Sequence, residues 1–298
     1  MLKREGLIWP VVLLAVTLLL FIAVGTLYDY PLSSFLYPGQ ETVFGSIFAA
    51  IGELPAYFAL HSAGIMLICH RGKRTRFQDV LLLLCGIALL LLGILGQFCE
   101  FVEDLPRVPM VIAILVTLAL FALNYFFTLL LMREAAREDI LRFVMAVLFV
   151  CGVSMLAANL LKYPWARPRM WFLASEPEAA FVPWYRPDPA VKKAYAALGV
   201  GRDAFRSFPS GHTVTAAASL LWTLYPSMHR YFEGKGRLLF LFSLLWTLFV
   251  TLSRLTMGAH FLSDVAISWM FTLILYTFSI ILFYRDNWIY LLFYKLLS

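Results

Sequence analysis

The chain has 298 residues, 62% of them hydrophobic and 14% charged, with a formal net charge of +6 and a mean hydropathy of +0.82. Soluble domains carry roughly 45–50% apolar and about 25% charged residues, so the composition excludes a single soluble core and points to an integral membrane protein. The basic residues are scattered between apolar runs, which fits membrane topology and argues against a nucleic-acid partner.

After Met1-Leu2-Lys3-Arg4-Glu5 the chain runs apolar from Leu7 to about Gly25. This is long for a signal peptide and lacks a small-residue cleavage site, so it reads as an uncleaved first span. Hydropathy predicts about eight spans, at 7–25, 45–69, 79–98, 109–132, 143–162, 211–228, 237–254 and 260–284. They must be helical, because an isolated strand leaves backbone polar groups unpaired in lipid. The expected fold is an all-α polytopic transmembrane bundle forming one membrane domain over residues 1–298. Cys69, Cys85, Cys99 and Cys151 lie in or beside apolar segments without metal-ligand spacing.

The loops alternate in charge. Arg71, Lys73, Arg74 and Arg76 follow the second span; Arg133, Arg137 and Arg142 the fourth; Arg230, Lys235 and Arg237 the sixth. The loop after the first span holds Asp29 and Glu41, and the one after the third holds Glu100, Glu103 and Asp104 against one Arg107. The positive-inside rule then puts both termini in the cytoplasm. The segment 163–209 is an exception, an outer loop with several basic residues, some of them expected to bind phosphate. Its aromatic residues, Trp171, Phe172, Trp184 and Tyr185, suit the membrane interface, and 188–198 reads as a short interfacial helix. The tail with Trp288, Tyr290, Phe293, Tyr294 and Lys295 reads as a helix on the inner surface.

Three polar clusters interrupt this pattern: Lys162 with Arg169, Pro209-Ser210-Gly211-His212, and Ser253-Arg254 with His260 and Asp264. The topology brings all of them to helix ends at the outer face. His260 and Asp264 are four apart and share a helix face, so the carboxylate can fix the imidazole tautomer. The competing reading is a buried pair that only joins helices. Ser210 and Gly211 open a helix whose free amides form an anion site; an ordinary cap explains Pro209 and Ser210 but leaves His212 without a role, and His212 can act as a general acid. Lys162, Arg169 and Arg254 can hold a phosphate dianion, while snorkelling to headgroups is the alternative for the first two. Glu53, within a span, either pairs with His61 or a freed helix end, or lines the substrate cavity. His61, Asn124 and Asn159 read as interhelical hydrogen-bonding residues.

These residues resemble the type 2 phosphatidic acid phosphatase superfamily of membrane lipid phosphatases. Its first motif is lysine, six residues, then arginine-proline, met here by Lys162 and Arg169 with Met170 in the proline position; Arg167-Pro168 has the wrong spacing. The second is matched by Pro209 to His212, and the third by Ser253, Arg254, His260 and Asp264. The resemblance covers about 79–284, a six-span core, with residues 1–70 as an added N-terminal span pair. It implies a phosphohistidine mechanism without metal or other cofactor. By carry-over His260 is the nucleophile, Asp264 orients it, and His212 is the acid. Lys162, Arg169, Ser210, Gly211 and Arg254 bind the phosphate. The implied substrate is a lipid phosphate or polyprenyl diphosphate, handled at the extracytoplasmic face of the plasma membrane. A phosphotransferase passing the phosphate to a lipid or sugar is the alternative, and a non-enzymatic lipid or anion transporter a distant one.

Overall fold

The computed structural model describes residues 5–39, 42–69 and 75–284, and all regular structure among them is helical. Among the described residues seven helices are long and apolar enough to cross a membrane. Leu13, Leu20 and Leu27 on α1 (Ile8–Leu36) and Leu115, Leu123 and Phe126 on α5 (Met110–Met132) stand exposed on the outside of the bundle. Exposed apolar area on this scale suits lipid as the surroundings and not water. The fold is an all-α polytopic bundle.

Local chemistry sets where helices start and break. Thr42 caps α2 (Val43–Gly52) by accepting the Gly45 amide at 2.9 Å. The second expected span then breaks at Glu53, because Pro55 has no amide hydrogen to continue the ladder; α3 (Leu54–Cys69) restarts with that proline in its first turn. A Thr75–Gln78 capping box starts α4 (Arg76–Asp104). The α3 and α4 backbones lie close where Gly64 meets Gly86: a Cβ on Gly64 would sit 2.7 Å from the Gly86 carbonyl oxygen.

The fifth expected span is α6 (Arg137–Val147), a π-helical turn at Leu148–Gly152, and α7 (Val153–Trp165), which ends on left-handed Ala166. The long loop folds into α8 (Met170–Ser175), α9 (Pro189–Ala197) and a 3-10 turn at Arg202–Phe205. A helix is present where one was expected near 188–198, as α9, capped by Asp188. After it come α10 (Gly211–Ala217), α11 (Gly236–Thr256) and α12 (Leu262–Phe283). α12 packs along α1, and α11 against α2.

Three expectations change. The stretch 211–228 is no continuous α-helix: α10 has 7 residues and passes into a 3-10 helix of 10, Ala218–Ser227. The Thr223 and Ser227 hydroxyls donate to carbonyls three residues back, Leu220 at 2.7 Å and Leu224 at 2.8 Å, which suits the tighter turn. At rises of about 1.5 and about 2.0 Å per residue the two parts together reach about 30 Å, the thickness of a bilayer's apolar core. Asp29 is not a loop charge, because α1 runs on to Leu36 and buries it. Glu100, Glu103 and Asp104 are not loop residues either; they complete the last turns of α4. Glu41, Arg71, Lys73, Arg74 and the tail 288–295 lie outside the described residues.

Candidate active site

The end of α7, the start of α10, the end of α11 and the turn before α12 converge on one cavity of about 410 Å³. Lys162, Arg169, Gly211, His212, Arg254 and His260 all line it, and so does Glu53. Residues separated by almost a hundred positions in the sequence thus meet at a single polar space.

His260 sits in the turn between α11 and α12, 2% exposed. Its Nδ1 is hydrogen-bonded to the carbonyl oxygen of Ser207. A carbonyl only accepts, so Nδ1 carries the hydrogen and Nε2 is left with its lone pair, free of any hydrogen bond among the described residues. Burial first, then the charges of Arg169, Lys162 and Arg254, hold this imidazole well below its ordinary pKa. It is therefore neutral, with Nε2 available, at pH 7.

Asp264 is expected to hold His260 directly, but the structure routes the contact through Ser207. Asp264 Oδ2 lies 3.9 Å from His260 Nδ1, too far for a hydrogen bond. The same oxygen accepts from the Ser207 hydroxyl at 2.6 Å and from the Phe261 amide at 2.9 Å. Its other oxygen pairs with Arg167. The helix start explains the difference: α12 begins at Leu262, so His260 is not on the helix face that a four-residue spacing implies.

Arg167 is fully buried. Its guanidinium also pairs with Asp29 at 2.9 Å, and donates to the Ser263 hydroxyl at 3.0 Å and the Val182 carbonyl at 2.8 Å. It lies over the Phe261 ring, 4.3 Å from the centroid. Arg167 therefore ties α1, the long loop and α12 together away from the cavity. Arg169, two residues on, lines the cavity, in keeping with the spacing from Lys162.

The cations differ in what holds them. Arg254, 4% exposed, donates to the Ser253 hydroxyl at 3.2 Å and to the Gly45 carbonyl at 3.1 Å. Arg169 Nη2 meets the exposed Asp203 at 2.8 Å, while its buried Nε has no partner. Lys162 has no carboxylate within ion-pair distance among the described residues. Arg206, which sequence reasoning missed, adds a fourth cation to the lining.

Ser210 is fully buried and caps α10. Its Oγ accepts the Thr213 amide at 3.3 Å and bonds the Thr213 hydroxyl at 3.0 Å, and it is not part of the cavity wall. Gly211 does line the cavity; a Cβ there would lie 3.3 Å from the Lys162 ammonium.

His212 sits among three carboxylates. Its Nδ1 is 3.6 Å from Glu53, and its Nε2 is 3.7 Å from Glu100 and 3.5 Å from Asp104. Glu53 is 7% exposed and pinned by the Tyr57 hydroxyl at 2.7 Å; it faces His212, not His61. Of its two readings, the cavity is the one the geometry favours. Glu53, Glu100 and His212 bring one donor atom each within 4.8 Å of one another, so they are also the described residues able to hold a metal ion. An ion there would take one ring nitrogen of His212.

The sequence model of the PAP2 superfamily matches residues 143–288, the stretch that contains all three motifs. No curated protein and no solved structure matches the chain significantly. That superfamily implies phosphatase-type activity on phosphate esters.

Proposed function

We propose that the protein is an integral membrane phosphatase that hydrolyses a phosphomonoester or diphosphate of a lipid through a phosphohistidine on His260. The observation that carries this is one cavity holding a neutral histidine with a free Nε2, a second histidine, and cations that keep room for an anion. The His260 Nε2 lone pair forms the bond to phosphorus. The phosphorus–oxygen bond to the lipid breaks, and the departing oxygen takes a proton from His212. Lys162, Arg169, Arg206 and Arg254 neutralise charge on the phosphoryl oxygens as it develops, aided by amides at the α10 start. Water then attacks phosphorus, its proton passes to His212, and the nitrogen–phosphorus electron pair returns to His260. No metal enters these steps.

The two N-terminal spans, residues 1–70, flank a phosphatase core over 79–284. The basic residues after the second, fourth and sixth spans support a topology with both termini in the cytoplasm and the cavity at the extracytoplasmic face of the plasma membrane. Purified protein is expected to release phosphate from phosphatidic acid, phosphatidylglycerophosphate or a polyprenyl diphosphate with a chelator present, while His260→Ala releases none. Comparable turnover by the variant overturns the nucleophile, and loss of activity on chelation overturns the metal-free chemistry.

A further inference from the structure

The outer loop carries more basic residues than the cavity beside His260 uses. A second cavity, about 260 Å³, lies next to the first and is lined by Asn159, Lys162, Tyr163, Lys192, Arg202 and Arg206. Asn159, Lys162 and Arg206 belong to both walls. Four cations thus face one small space that no carboxylate lines. Among the described residues none of the four has a carboxylate within ion-pair distance, in contrast to Arg167 with two. Like charges held this close repel unless an anion joins them.

The cations stand on anchored structure. On α9, which carries Lys192, Tyr195 packs edge-on against the buried Phe172, ring centroids 5.2 Å apart. The 3-10 turn carrying Arg202 is held by buried Ala204 and Phe205, and Arg206 follows it directly. Arg202 Nη2 also donates to the Tyr163 hydroxyl at 3.2 Å. On α7, Leu156, Asn159, Leu160 and Tyr163 recur at three- and four-residue steps and share one face. Leu156, Leu160 and Tyr163 are more than half exposed, so an apolar stripe leads along α7 from this second cavity.

We infer that the second cavity is an anion subsite for the inner phosphate of a lipid diphosphate, whose terminal phosphate lies against His260. The inference rests on the proposed phosphatase chemistry for the terminal phosphate. The shared Lys162 and Arg206 let one ligand with two linked phosphates fill both spaces. The first cavity is also lined by Glu53, Glu100, Glu103 and Asp104, three of them around His212, and they repel a second phosphate on that side. The lipid chain then follows the α7 stripe. In the transfer step the bond from His260 Nε2 to the terminal phosphorus forms and the bond to the bridging oxygen breaks. The electron pair stays on the departing lipid monophosphate, whose charge Lys192, Arg202 and Arg206 neutralise.

The subsite is tested first by binding. In His260→Ala protein, calorimetry with inorganic pyrophosphate and inorganic phosphate is expected to give one pyrophosphate per chain, bound at least about tenfold tighter than phosphate. Adding Lys192→Ala and Arg202→Ala together is expected to remove most of that margin. Equal affinities, two pyrophosphates per chain, or a margin that survives the double substitution overturns the inference. Turnover is the second test, with Lys192→Ala/Arg202→Ala in the otherwise native chain. Its kcat/KM on a polyprenyl diphosphate is expected to fall at least about tenfold, and on the monophosphate less than about twofold. Equal slowing of both also overturns the inference. If native protein hydrolyses neither lipid while the pyrophosphate margin behaves as stated, the phosphatase chemistry fails and the anion subsite stands.

Discussion

Arg167 and Arg169 stand two residues apart and belong to opposite kinds of polar region. Around Arg167 every group is matched: two aspartates, a serine and a carbonyl surround the guanidinium, and Ser207 and the Phe261 amide complete Asp264. Around Arg169 the matching is left incomplete, with a bare Nε, an unpaired Lys162 and a free His260 Nε2. Both regions are rich in charge inside an apolar bundle, so charge alone does not distinguish a structural hub from a reactive site. The distinction lies in whether the partners come from the protein or must come from a ligand.

Substitutions break this comparison in order of expected size. Arg167→Leu leaves Asp29 and Asp264 buried without a cation and is expected to destabilise the fold by about 3–5 kcal/mol, read as loss of folded protein or of melting temperature in detergent. Arg169→Ala is expected to leave melting nearly unchanged while kcat/KM falls about 10²- to 10³-fold, the scale of losing one transition-state contact. A variant that unfolds instead would place Arg169 with Arg167.

Glu53→Gln keeps the shape of the carboxylate that faces His212 Nδ1 but removes its charge. The expected cost is about tenfold in kcat/KM on an alkyl phosphate and much less on an aryl phosphate, whose leaving oxygen needs little protonation. Equal losses on both would mean that Glu53 does not act through proton transfer. Lys162→Met sharpens the comparison through pH. The Lys162 charge helps to hold His260 below its ordinary pKa. Without it the imidazole protonates at higher pH, so the acid limb of the pH–rate profile is expected to move up. An unmoved limb would separate the two groups.

Much of the site was legible because chemistry that is costly in a membrane stands out against an apolar chain. The spacing of the resembled superfamily's first motif, counted from Lys162, chose Arg169 over the more conspicuous Arg167-Pro168, and the cavity contains Arg169. The partners of His260 were not legible. The Ser207 carbonyl reaches it across 53 residues through the fold of a loop that carries no periodicity. The acidic wall was misread for a different reason. Hydropathy ends the third span near residue 98, but the helix runs on to Asp104 and carries Glu100 and Asp104 to His212. Helix ends and apolar ends are different boundaries, set by hydrogen bonding and by side-chain transfer respectively. One clue to the Arg167 hub was present in the sequence: Asp29 close after a long apolar run calls for a cationic partner.

The central claim is that His260 takes the phosphoryl group. Rapid mixing with substrate labelled in its terminal phosphate, followed by an alkaline quench and peptide mapping, tests it directly. The account predicts an acid-labile, alkali-stable label on the peptide that contains His260, absent from His260→Ala. An active native protein that never carries the label, or a variant that still does, would contradict it.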